Sequence, residues 1–259
     1  MINLESFIKA PKNKKDLPLL LRKYYNLVIR FKDFHNSVIS AIFPNKIKPS
    51  GFIEFDEVRK RARVRSDISD HLETIFIEAL SVNPKLIVEL GVGPGQSTFI
   101  LERVARLCGA KMVSVDIREE VSSATDWKDW IFVNDDDIEF SNRFHQWMDK
   151  NNCGPNIDVL FIDTSHKYEH TVREIESWFK FLKPGSVVMF HDSNSGLIYR
   201  YRDGGIGIGY SIKRGVIKAI EEYLQTKYDE KENFIDVRNG WVVKHLALCN
   251  GLTILRRVK

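Results

Sequence analysis

Cysteine is scarce in this sequence. Its 259 residues hold three, Cys108, Cys153 and Cys249, and none forms a CxxC pair. A disulfide scaffold and a cysteine-built zinc centre are therefore excluded, and a reduced, cytoplasmic protein is predicted. No apolar run approaches the ~18 residues that a bilayer span needs. Lys9, Lys12, Lys14 and Lys15 break up any signal-peptide core. Low-complexity tracts and internal repeats are also missing, and the composition is that of a folded globular chain.

The positive charge sits at one end. Residues 1–65 carry 15 Lys/Arg against 6 Asp/Glu, whereas residues 66–259 carry 24 against 29. The densest run is Arg59-Lys60-Arg61-Ala62-Arg63-Val64-Arg65. Such a run attracts phosphate or forms a solvated face or self-association arm. Two segments are thus expected: a basic helical extension over 1–65 and a catalytic domain over 66–259. In the first, Asp16 is placed to cap a helix reaching Phe43, with Leu17, Leu20, Leu21, Tyr24, Val28 and Phe31 near the helical period and Pro44 as its stop. A second helix opens at Ser66 or Asp67, its apolar face running from Ile68 to Leu80.

From Lys85 onward, short apolar runs alternate with amphipathic ones. Strands are predicted at 86–90, 111–116, 130–133, 158–162 and 186–190, with helices at 96–107, 118–126, 139–150, 168–182 and 211–227. Strands apolar on both faces belong to a parallel sheet covered by helices. Segments 241–247 and 252–258, joined at Cys249-Asn250-Gly251, read as an antiparallel hairpin at the sheet edge. The glycine-rich segment 199–210 reads as a mobile lid whose arginines face an anionic substrate, or as a flexible insert.

The run Glu89-Leu90-Gly91-Val92-Gly93-Pro94-Gly95-Gln96-Ser97 joins the first strand to a helix. Glycines let the backbone turn sharply and approach a ligand, and the helix start favours an anion. Gln96 stands where a nicotinamide fingerprint needs its third glycine, and no P-loop lysine is present. The pattern is instead ExGxGxG. Asp116 ends the next strand, 21 residues after Gly95, positioned to accept ribose hydroxyls. Asp135, Asp136 and Asp137 follow the third strand, where an adenine amino group needs an acceptor. Together these point to a nucleoside cofactor.

These motifs resemble the class I S-adenosylmethionine-dependent methyltransferases over about residues 66–259. The resemblance implies a Rossmann-like, doubly wound, mostly parallel α/β sheet of seven strands, one of them antiparallel. It places the backbone of Gly91–Gly95 beside the methionine portion of S-adenosylmethionine and counts Glu89, Gln96 and Ser97 among the cofactor-binding residues. Asp116 then binds the ribose and Asp135 or Asp136 the adenine end.

Two strand ends carry the chemistry. The fourth gives Asp163-Thr164-Ser165-His166 and the fifth His191-Asp192-Ser193-Asn194. Paired carboxylates at neighbouring strand ends bind a hard cation such as Mg²⁺, which lowers a hydroxyl's pKa. His166 is a candidate general base, and His191 a second candidate. His166 and His170 stand four apart, a zinc-compatible spacing without a third ligand nearby, and His170 reads as a surface or packing residue. The DxxH segment and the helix YEHTVREIESWFKFLKPG resemble the metal-dependent small-molecule O-methyltransferases, in the branch of macrocin-type sugar enzymes and cephalosporin hydroxylase relatives. In the catechol branch, Asp163 and Asp192 match metal-binding aspartates. Ser193 departs from its asparagine, and His191-Asp192 replaces the paired acid of the sugar branch. The third ligand is therefore His191, Ser193 or Asn194, unless no metal binds.

The expected activity is O-methylation of a small polar hydroxyl compound, a sugar or glycosylated metabolite, by a homodimer or higher homo-oligomer. The rivals are a nucleic-acid methyltransferase using the basic end, a hydroxylase-like relative and a non-catalytic relative. No nucleic-acid-binding module or asparagine-proline tetrad of amino-methylating enzymes supports the first.

Overall fold

This computed structural model describes residues 19–42, 48–209 and 213–258, with side chains from Asn26 onward. The expected cap at Asp16, the stop at Pro44 and the lid residue Tyr210 lie outside the described residues. The first helix, α1, spans Leu19–Ile42.

The sheet begins with β1 (Leu86–Leu90), which is buried at every position, as its unbroken apolar run requires. β2 (Lys111–Asp116), β3 (Trp130–Asn134), β4 (Ile157–Ile162) and β5 (Leu182–His191) follow, and all pair in parallel. The connecting helices are α4 (Gln96–Cys108), α5 (Asp137–Lys150), α6 (Tyr168–Trp178) and α7 (Gly215–Leu224). α4 ends on left-handed Gly109, and Asp136 caps α5 by accepting from the backbone N–H groups of Ile138 and Glu139.

Strand order places β2 and β3 on one side of β1 and β4 and β5 on the other. The chain therefore reverses direction between β1 and β4. Loops diverge at such a switch point and leave a crevice beyond the C-terminal strand ends. One core lies on the α5–α6–α7 face, where the Phe144 and Trp178 rings meet at 4.9 Å. The other lies on the face of α4 and two N-terminal helices, α2 (Ile53–Arg61) and α3 (Leu72–Ser81).

The doubly wound α/β architecture is the expected one, with three local differences. The sheet has eight strands: β8 (Phe234–Arg238) pairs outside β9 (Trp241–Leu246), which pairs with β10 (Leu252–Arg257). The β9–β10 hairpin is thus interior, and β8 is the edge strand, with Ile235 and Val237 turned to solvent. α2 was not foreseen because only Val58 of its nine residues is buried, which leaves no apolar stripe to read. Ser66 and Asp67 do not open an α-helix; a 3₁₀ turn at Ser69–His71 comes first, and α3 starts at Leu72.

The glycine-rich segment is not a free lid. It forms a short antiparallel pair, β6 (Ile198–Arg200) and β7 (Ile206–Ile208). The Tyr199 ring covers Gly207, where any Cβ would lie 2.1 Å from it. α1 clamps this pair: Asn36 donates to Ile206 O and accepts from Ile206 N, at 3.0 and 2.9 Å.

Candidate active site

The glycine loop leaves β1 at Leu90. Gly91 has φ +83°, and a Cβ there would meet the carbonyl oxygen of Asp163 at 2.1 Å. Only glycine lets the end of β4 close on this loop, and Asp163 N–H donates to Leu90 O at 2.8 Å. Gly93 faces open space and Gly95 packs on Ala124.

Glu89 is fully buried beneath the loop, where it accepts from Ser97 (2.6 Å), Thr98 (2.9 Å) and Ser114 (2.5 Å). Burial pushes its pKa up to about 7, against the opposing pull of the three hydroxyls. Glu89 and Ser97 thus brace the loop from below. Gln96 faces outward and accepts from Arg61 Nε of α2 at 2.7 Å. None of these three lines the cavity next to the loop.

That cavity measures about 300 Å³ and is walled by Gly91, Asp116, Arg118, Asp135, Asp136 and Asp163, among others. Asp116 accepts from Val92 N at 2.9 Å and pairs with Arg118 at 3.0 Å. Asp135 pairs with Arg143, and Asp136 serves as the cap of α5. The expected ribose and adenine acceptors therefore share one cavity with Gly91. Its carboxylate-rich wall fits a nucleoside with hydroxyl and amino donors.

Beside this cavity the ends of β4 and β5 meet. His166 stands between two carboxylates, Nε2 2.8 Å from Asp163 and Nδ1 3.1 Å from Asp192. His191 Nδ1 lies 3.2 Å from Asp163 and 3.5 Å from Asp192. His166 and Asp192 both adopt φ +57°, a left-handed conformation that is strained for these residues and turns both side chains into the cluster. Burial opposes charge on His166, but the Asp163 hydrogen bond and the two aspartates outweigh it and raise its pKa. Burial also works against Asp163, yet His191 and His166 hold it below the usual carboxylate range. The cluster is two anions interleaved with two imidazoles.

Asp163, His191 and Asp192 each offer a ligand atom, all within 4.8 Å of one another. Two carboxylates and an imidazole suit a divalent ion, so these residues fit a metal. Ser193 and Asn194, the other two candidates, turn away: Ser193 approaches His245 at 3.5 Å, and Asn194 donates to Ala247 O at 2.9 Å. His166 and His170 do not converge. His170 faces Asp137 on α5, 3.0 Å away.

Two site residues were not visible in the sequence. Asp67, exposed ahead of the 3₁₀ turn, sits in the field of His191, Asp192 and Asp163, and partial desolvation raises its pKa. The buried His71 meets His191 edge to face at 5.9 Å and is anchored by Leu248 O at 2.8 Å. Burial pushes its pKa down to about 3, so it is neutral. His71 Nδ1 and His191 Nε2 are both buried and have no hydrogen-bond partner among the described residues. No periodicity or motif marks Asp67 or His71; only the tertiary packing of the N-terminal segment on the rim brings them in.

The basic run is largely engaged within the chain. Arg61 reaches Gln96, Arg65 pairs with Asp203 at 2.6 Å, and Arg59 donates to Lys48 O at 2.7 Å. Arg202 of the glycine-rich segment binds the Asp70 carbonyl at 3.0 Å. No described helix is long and apolar enough to cross a membrane.

Residues 88–193 match a family model described as a methyltransferase domain. No curated protein matches the chain. Among solved structures, a protein from Corynebacterium glutamicum is 12% identical with a TM-score of 0.52, covering 86% of this chain and 97% of its own. Cofactor-bound Rv0187 from MTB is 13% identical with a TM-score of 0.50, covering 88% and 97%. At these identities the likeness is one of fold. The matched segment runs from β1 to the end of β5 and contains both the glycine loop and the aspartate–histidine cluster.

Proposed function

We propose that this chain, a class I S-adenosylmethionine-dependent methyltransferase, methylates a hydroxyl of a small polar molecule of the sugar or glycosylated-metabolite class. The observation that carries this reading is the cluster of Asp163, His166, His191 and Asp192 on the rim of the cofactor cavity. Bound there, the cofactor supplies an electrophilic methyl group. The chain's task is to hold the acceptor oxygen in line and take its proton.

The placement of these residues supports the following roles. The Gly91–Gly95 backbone lies beside the methionine portion, Asp116 accepts the ribose hydroxyls, and Asp135 and Asp136 stand at the adenine end. His166 is the proton acceptor. In its neutral form one ring nitrogen carries a bare lone pair; in this reading the acceptor hydroxyl takes the place of one aspartate at that nitrogen, and the other aspartate stabilises the imidazolium that proton uptake creates. Asp163, Asp192 and His191 would hold a Mg²⁺-like ion, whose contribution is to polarise the acceptor oxygen.

The described part of the N-terminal extension, residues 19–42 and 48–65, acts as a cap braced on the rim, because α1 clamps β7 and Arg65 holds Asp203. The outer face of α1 presents Leu27, Phe31, Phe34 and Val38 to solvent, spaced four, three and four apart. That stripe is the pattern of a helix seam, and a second copy of α1 is its proposed partner.

The acceptor class is tested by incubating the protein with methyl-labelled cofactor and fractionated polar metabolites, with RNA and DNA as separate arms. Label is expected in an O-methyl group of a small polar compound. Label entering nucleic acid alone contradicts the reading, and the internal pairing of Arg59, Arg61 and Arg65 argues against that outcome.

A further inference from the structure

A second set of ligating groups lies on the far side of Thr164, and methyl transfer makes no use of it. Thr164 follows Asp163, but its hydroxyl turns the other way and donates to Glu174 Oε1 at 2.5 Å. Glu174 and His170 stand one turn apart on one face of α6. Asp137 is the first residue of α5, immediately after the cap Asp136. His170 Nε2 lies 3.0 Å from Asp137 and 3.7 Å from Glu174, and one ligand atom from each of the three falls within 4.8 Å of the others.

The polar accounting at this point does not close with protein groups. Asp137 is 6% exposed and Glu174 0%. Their second oxygens, Asp137 Oδ2 and Glu174 Oε2, are buried without a hydrogen-bond partner among the described residues. Two buried carboxylates face one imidazole, which leaves net negative charge in a desolvated place. A proton on Glu174 relieves that charge, and burial together with Asp137 does push its pKa up to about 8. That proton neutralises Glu174, yet Asp137 Oδ2 still has no hydrogen-bond partner among the described residues. A divalent ion engages both carboxylates at once. It also has a way in, because Asp137 and His170 form part of the wall of the cofactor cavity, next to Asp135 and Asp136.

We propose that Asp137, His170 and Glu174 form a second divalent-cation site, at the adenine end of the cofactor cavity. Two carboxylate oxygens and one imidazole nitrogen, the same donor set as Asp163, Asp192 and His191, suit a divalent ion, and Mn²⁺ serves as the probe for both sites. The site shares no ligand with the Asp163–His191–Asp192 set. The proposal therefore stands independently of how the methyl acceptor is activated.

The test counts Mn²⁺ bound to chelator-stripped full-length protein, from the paramagnetic resonance of the free ion. Wild type should bind two ions per chain if both sites fill. Glu174→Gln, which keeps the shape, and His170→Ala, at a half-buried position, should each lose one ion, while Asp163→Asn loses the other. A thermal melt of each variant confirms folding. If wild type binds a single ion that Glu174→Gln abolishes and Asp163→Asn retains, the second site stands and the strand-end metal falls. Stoichiometry and affinity left unchanged by both Glu174→Gln and His170→Ala overturn the proposal.

Discussion

His166 Nε2 lies 2.8 Å from Asp163 Oδ1, the residue three positions earlier at the end of β4. With Asp192 on its other nitrogen, the imidazole gains more from its proton than burial takes away, and its pKa is raised above 6.5. A base must first lose that proton. The rate should therefore climb with pH through a value above the ordinary histidine one, and His166→Ala should remove that limb and lower the rate about 10²–10⁴-fold. Stability carries the same signature: the His166 contribution is full below pH 6.5 and is lost as pH rises through the folded pKa. A pH–rate profile paired with urea unfolding at several pH values checks both. A limb that persists in His166→Ala assigns the proton to another group.

Glu89 behaves in the opposite sense. Burial raises its pKa to about 7 in the fold, against 4.5 for the free side chain, so its ionisation weakens the folded state as pH rises between those values. Glu89→Gln should flatten that decline. Glu89→Ala should destabilise by about 1–3 kcal/mol, because the hydroxyls of Ser97, Thr98 and Ser114 lose their acceptor. Denaturant midpoints across this pH range measure both effects.

Asp116 is the test of the cofactor end. Asp116→Ala removes a charge-assisted acceptor worth roughly 1.5–3 kcal/mol, so S-adenosylmethionine should bind about 10–150-fold more weakly. The carboxylate also fixes the loop amides of Val92 and Gly93 and holds Arg118, so part of the loss is loop order. Calorimetry showing unchanged affinity would remove Asp116 from the ribose.

What the sequence disclosed and what it hid follow from range. β1, the glycine loop and Asp116 were legible because their signals lie within a few residues: an apolar run, a turn that needs glycine and a strand-ending acid. Asp163 and Asp192 were legible because parallel strands put their ends on one rim. Asp67, His71 and the Asp137–His170–Glu174 cluster were not, since each depends on which helix packs against which strand end. β6 and β7, three residues each, and β8, an edge strand with Ile235 and Val237 facing solvent, are too short or too exposed for a clean alternation. Glu89, Gln96 and Ser97 show the limit of motif transfer: the motif located the loop, but these side chains brace it rather than face the cavity.

The stripe on α1 predicts self-association. Leu27, Phe31 and Phe34 are 64%, 61% and 69% exposed in the single chain. A Phe31→Glu, Phe34→Glu double variant should shift the solution mass from dimer to monomer by light scattering. Because α1 also clamps β7, its turnover reports whether the cap needs the partner. A monomeric wild type, or a variant of unchanged mass, contradicts the dimer.

The proposed methyl transfer turns on oxygen activation at Asp163, His191 and Asp192. Its most direct test is turnover of labelled S-adenosylmethionine with and without chelator, measured alongside cofactor binding by calorimetry. Chelation should abolish methyl transfer while leaving cofactor affinity largely intact, Mg²⁺ should restore it, and Asp163→Asn and Asp192→Asn should each mimic chelation. Full transfer in chelator, with wild-type rates for Asp163→Asn, would contradict the metal reading and leave His166 and its aspartates to work alone.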